Sequence, residues 1–320
     1  MEELRQRFKE VCTHEGIVVY DPVTENPELV ETQILQSNHL FANNLIQEYK
    51  NEFCPKLPRV HFDFVKDHRL NAFAFYDPQT KCGFIGIRTG AVGLIYDLFY
   101  RIMSHPEVLP NLGNVGVERL RQPYCSEGIV DDFSKLSILG NNPGGRLAEV
   151  FPIDDERKRY AESLALIAIE FFVIHELAHL ANGHCEYDNK ISSIPLFIEA
   201  QSGKSKVGLM VKQYFEVVAD AHASLWTWLK RLKNMSDDQM TARSLLEKGN
   251  SIVIRTQLLM TDWVLAIVLM FWLFDISTNP DSLHTADHPP AVLRGIWANV
   301  HVFGKGTSEI PGSIFRSMIR

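Results

Sequence analysis

Residues 171–184 read FFVIHELAHLANGH. Four apolar residues lead into two histidines, His175 and His179, with Glu176 directly after the first. Leu177, Ala178, Leu180 and Ala181 continue the apolar character, so the stretch predicts a helix buried around most of its circumference. Positions four apart share one helix face, and both imidazoles can therefore aim one nitrogen at a single ion. Glu176 is rotated about 100° from His175. It is placed not as a ligand but beside an ion's open position, where a carboxylate can take a proton from water.

This is the HExxH arrangement of zinc metallopeptidases, and it requires a third ligand. A third histidine shortly downstream would make a metzincin-type site, but Gly183 and His184 fall at the wrong offsets. His184 is read instead as a helix-end residue or as one that backs a ligand. The better third ligand lies in YFEVVADAHASLW, residues 214–226, where Glu216 and Asp220 are four apart in an otherwise apolar run. Burying two such carboxylates without a cation or strong donors costs on the order of several kcal/mol each. A zinc ion on Glu216, with Asp220 accepting the ring N–H of a ligand histidine, removes that cost. His222 falls on another side of the helix and is read as structural, and Glu170 has no visible partner.

The 320-residue chain is 46% hydrophobic and 22% charged, with no repeat or low-complexity tract, which places it among ordinary globular proteins. Its net charge of -7 offers no footprint for a phosphate backbone, so nucleic acid is excluded as a partner. Five scattered cysteines without a CxxC pair argue for a reducing cytoplasm, and the charged MEELRQRFKE start lacks the apolar core of a signal peptide. One stretch, WVLAIVLMFWLF at 263–274, is wholly apolar. Extended to 258–276, it falls short of the roughly 20 residues of a membrane span. It is read as a core helix, with a membrane span as the alternative.

Helical spacing is expected over 27–51, ending near CPKLP, and then the period changes. RVHFDFVKD alternates as a half-buried strand, and NAFAFY and GFIGIR follow around the turn DPQTKC, so the three runs predict a small antiparallel meander. Helices are expected from residue 90, over 155–182, 206–233, 237–249 and 251–277, and again from residue 291. Residues 104–153 hold many of the prolines and glycines and read as a loop-rich insertion. The fold class is α+β, a small sheet packed on a mostly helical body.

The pattern Glu216-Val-Val-Ala-Asp220 downstream of HExxH resembles the ExxAD element of gluzincin metallopeptidases. NAFAF with GFIGIRTGAV is similar to the edge strand and following segment of HtpX-like peptidases, and DHPPAVLR to their His-Pro segment with a downstream arginine. The HExxHxxxGH form and the chain size also resemble the peptidase family of the phage-exclusion protein Lit, whose activity is cleavage of elongation factor Tu. The resemblance implies a zincin-like domain over 56–320, preceded by a helical segment at 1–55. It implies zinc on His175, His179 and Glu216, with Glu176 as general base and Asp220 and His184 behind the ligands. His288 and Arg294 are nominated as transition-state or site-shaping residues. The strand starting Asn71, Ala72, Phe73, Ala74 is nominated as the edge that pairs with an extended substrate. Absent N-terminal spans and the 104–153 insertion depart from HtpX-like proteins. The expected function is a cytoplasmic zinc endopeptidase acting on a protein or peptide. Rival readings are a non-catalytic peptidase-like module, a membrane-embedded quality-control peptidase, and an amidase for small molecules.

Overall fold

The computed structural model describes residues 2–21, 28–67, 69–119, 151–191, 206–234, 252–277, 294–296 and 298. In chain order these form α1 (Glu2–His14), β1 (Val18–Val19), α2 (Val30–Glu52), β2 (Arg59–Lys66), β3 (Ala72–Asp77), β4 (Cys82–Arg88), α3 (Thr89–Ser104), α4 (Val115–Glu118), α5 (Asp155–Ala181), α6 (His184–Ile191), α7 (Lys206–Asn234) and α8 (Ile252–Ser277). The protein is α+β and mostly helical, as expected. The helix read over 237–249, His288 and the core of the insertion, 120–150, lie outside the described residues.

The sheet is mixed, in the order β1-β2-β4-β3, which corrects the expected antiparallel meander. β3 and β4 form an antiparallel hairpin, but β2 pairs with β4 in parallel and does not touch β3. The reason lies in what covers each strand. Every residue of β4 is buried, because helices lie on both sides of it, and a strand apolar on both faces belongs at the sheet centre. The hairpin turn is closed by Asp77, whose carboxylate accepts from Thr80 Oγ1 at 2.9 Å and from the Gln79 and Thr80 amides. Lys81 takes the left-handed conformation there, with φ of 53°.

α1 covers one face of the sheet. Leu4, Phe8 and Cys12, spaced four apart, pack on Val65, Phe73, Phe75 and Phe84. The charged composition of this segment hides a narrow apolar stripe, and its arginines bond to the sheet through Arg5–Asp63 and Arg7–Asp77, both 3.0 Å. The opposite face carries α2, α3, α5, α7 and α8 around the larger core.

α5 is the axis of that core and packs against α3, α7, α8, β3 and β4. It begins at Asp154, whose side chain accepts from the amides of Glu156 and Arg157 at 3.0 Å, an N-cap that satisfies two otherwise orphaned donors. One turn in, Arg157 is fully buried, and its guanidinium donates to the carbonyls of Met103, His105, Val108, Leu109 and Leu112. The first part of the expected insertion is therefore ordered chain gathered onto α5. At the other end Leu180 presses on β4, where a Cβ on Gly83 would lie 2.7 Å from Leu180 Cδ1. Glycine at that strand position lets the turn carrying His179 lie directly on the sheet.

Two helices are long and apolar enough to cross a membrane, Asp155–Ala181 and Thr256–Phe274, with 89% and 61% of their apolar windows buried inside the protein. Polar contacts join them to their neighbours. Tyr160 donates to Asp262, and Trp263 Nε1 donates to Thr227 Oγ1 at 3.0 Å.

Candidate metal centre

Three elements meet at the C-terminal end of α5. Its last two turns present His175, Glu176 and His179; α7 crosses them with Glu216 and Asp220; and α6 begins with His184. All six side chains are buried. The Nε2 atoms of His175 and His179 are 3.1 Å apart. Glu216 lies 3.2 Å from His175 Nε2 through Oε2 and 3.3 Å from His179 Nε2 through Oε1. Among the described residues, this is the group of histidine, cysteine and acidic side chains whose ligand atoms converge within 4.8 Å. It can hold a metal ion.

The far nitrogens are engaged as well. His175 Nδ1 faces Asp220 Oδ1 at 2.9 Å, and His179 Nδ1 faces His184 Nδ1 at 3.1 Å. Asp220 and His184 therefore stand behind the two histidines, one on the far side of each ring. Arg294 donates to both oxygens of Asp220, from Nε at 2.7 Å and Nη2 at 2.9 Å, and its Nη2 is 3.3 Å from Glu216 Oε2. Its guanidinium lies over the Phe271 ring of α8, 5.2 Å from the centroid. Arg294, nominated as a transition-state or site-shaping residue, thus places Nε and Nη2 on the two carboxylates that face His175 and His179, the place of a residue that shapes the site.

The charges follow this geometry. Burial opposes protonation of His175, but hydrogen bonds and charges from Asp220 and Glu216 overcome it and raise the ring to about 10. Burial would lift Asp220, yet Arg294 and His175 hold it below the ordinary carboxylate value. Burial pushes His184 down to about 4.

β3 is an end strand of the sheet and packs against α5 and α6, so Ala72, Phe73 and Ala74 do lie on an edge beside the centre. Asn71 does not belong to the strand; it precedes it, and its carbonyl accepts from the Arg88 amide at 3.1 Å. Phe73 is held across from Gly86, where a Cβ would come within 2.3 Å of the ring.

Three sets of partners left no signal in the sequence. Phe215 stacks on His184, with centroids 4.1 Å apart and planes 8° apart. Glu170 accepts from Arg231 and has Lys230 at 3.5 Å, partners on a helix some 60 residues away that leave no local signal. His222 bonds to Tyr49 of α2 and lies 3.3 Å from Asn182 at the end of α5, which gives content to its structural reading.

Compared with protein-family models, curated proteins and solved structures, the chain matches none.

Proposed function

We propose that the protein is a zinc-dependent endopeptidase with a zincin-like domain of the gluzincin kind, acting in the cytoplasm on a protein or peptide substrate. One observation carries the reading: a buried His175–His179–Glu216 triangle with a glutamate next to the first histidine. The donor set of two imidazoles and a carboxylate fits zinc: the two Nε2 atoms are 3.1 Å apart, against ligand edges of about 3.3 Å for a tetrahedral ion with bonds of about 2.0–2.1 Å, and one ligand atom from each of the three residues lies within 4.8 Å of the others. When bound, zinc supplies Lewis acidity that polarises a carbonyl and acidifies water to a pKa of roughly 7.

The chain's own residues do the rest. Asp220 accepts the His175 ring N–H and keeps Nε2 available to the ion, and Arg294 holds Asp220 in place. Glu176 takes the proton of the attacking water and delivers it to the leaving amine. β3, the strand nominated to pair with an extended substrate, stands at the end of the described sheet with Ala72, Phe73, Ala74 and Phe75 buried, and pairing along it would read backbone more than side chain. By the resemblance to the Lit family, elongation factor Tu is the first substrate to try.

The test is metal analysis of protein purified without chelator, followed by N-terminal proteomics of lysate treated with wild type or Glu176→Gln. The expected outcome is about one zinc per chain and new N-termini that vanish with the variant. Bound zinc without Glu176-dependent cleavage would leave a non-catalytic module, and protein without metal would end the reading.

A further inference from the structure

The two histidines of the centre are backed differently, and the difference assigns a task to His184. We infer that His184 is a positioning residue that sets the tautomer and orientation of His179. The inference rests on the reading that His175, His179 and Glu216 hold a divalent cation.

His179 turns Nε2 toward His175 and Glu216, so Nε2 is the nitrogen offered to the ion. A neutral imidazole that ligates through Nε2 carries its proton on Nδ1, and that N–H, buried here, requires an acceptor. His184 Nδ1, at 3.1 Å, is in reach to accept it. For it to accept, the His184 proton must sit on Nε2, so each ring dictates the tautomer of the other. His175 meets the same requirement with a carboxylate, Asp220, whose charge is shared with Arg294. His179 relies on a neutral ring.

The fold builds His184 for this. α5 ends at Asn182, and Gly183, with φ of 74°, turns the chain in the left-handed region that glycine adopts without strain. α6 then starts with His184, its ring 5.1 Å from that of His179 and steeply tilted to it. Phe215 clamps the other side by parallel stacking, and it immediately precedes the ligand Glu216. One turn of α7 thus places both the third ligand and the platform that holds the acceptor. The LANGH tail of the opening motif is explained by the same geometry.

Two substitutions separate this role from plain packing. His184→Phe keeps an aromatic ring against Phe215 and removes the acceptor, whereas His184→Asn forfeits the stack and places an amide oxygen near the Nδ1 position. Zinc affinity of the full chain, measured by competition with a chromophoric chelator, is expected to fall about 10–100-fold in the Phe variant, the usual cost of losing a partner behind a ligand. The Asn variant should recover most of the loss, and the absorption bands of the cobalt-loaded protein should shift in Phe and return in Asn. Zinc bound by Phe as tightly as by wild type, or less tightly by Asn than by Phe, would overturn the role of His184 alone. Wild type that binds no zinc would overturn the metal centre itself.

Discussion

Asp220 and Asp63 are both buried carboxylates served by an arginine and by histidine. Asp63 receives Arg5 Nε at 3.0 Å and lies 3.5 Å from His39 and 3.8 Å from His61. Asp220 receives Arg294 at 2.7 Å and His175 at 2.9 Å. At Asp63 the histidines come from α2 and β2 and converge on the aspartate itself. At Asp220 the histidine passes through, its other nitrogen meeting His179 and Glu216. A histidine–carboxylate contact is therefore not what makes a metal centre. The second set of donors, gathered on the far side of the imidazole, is what makes it.

The largest expected effect comes from removing the arginine at Asp220, with the arginine at Asp63 as its counterpart. Arg294→Met leaves Asp220 buried without its guanidinium, and thermal or denaturant unfolding of metal-free protein should show a loss of about 3–5 kcal/mol. Arg5 is 22% exposed on its side chain. Water reaches it, and Arg5→Met should cost about 1 kcal/mol or less. Equal losses would erase the contrast in burial that separates the clusters.

Glu216→Gln should weaken zinc more than about 100-fold, beyond the cost of any partner behind a ligand. Asp63→Asn and His61→Ala should leave zinc affinity at the wild-type value by isothermal titration. A metal defect in either would mean that the Asp63 cluster is coupled to the centre.

Asp63→Asn should instead cost about 1–3 kcal/mol of stability through donors left without their charged partner. Burial alone would raise Asp63, but His39, His61 and Arg5 depress it below the ordinary carboxylate value. Its contribution is thus present above that value and is lost as pH falls through the depressed one. Unfolding curves of wild type and Asp63→Asn should converge in acid.

The smallest effect is a slope. His175 in metal-free protein is raised from 6.5 to about 10, so the stabilisation it gains from Asp220 and Glu216 is complete below the lower value and lost on approach to the higher. Zinc must displace that proton, so apparent affinity should rise roughly tenfold per pH unit between about pH 7 and 9. Titrations in buffers of different ionisation enthalpy should report about one proton released on this account. A flat profile would show that the ring is already neutral in the metal-free protein.

Local features of the chain were legible because their causes are local. α5, Asp155–Ala181, lies within a residue of the expected 155–182. The four-residue spacing puts His175 with His179, and Glu216 with Asp220, on common faces. The misreadings concern choices among distant partners. Alternation in β2 and apolarity in β3 and β4 reveal strands but not which pair, and the two-faced burial of β4 made it central and β2 its parallel neighbour. α1 falls within the helical segment expected over 1–55, but its apolar stripe did not show, because three buried residues in thirteen do not outweigh its charges until a sheet face is there to receive them.

The sequence by itself determined the long helices, the strands β2 to β4, and the donors that a metal would require, since 3.6- and 2-residue periods and side-chain chemistry are properties of short stretches. Only the tertiary structure decided that Arg294 serves Asp220, that Glu170 meets Arg231, and that His184 leans on Phe215 to face His179. Those pairings form because burial makes each polar group find a partner, and which partner lies within reach depends on how the helices cross.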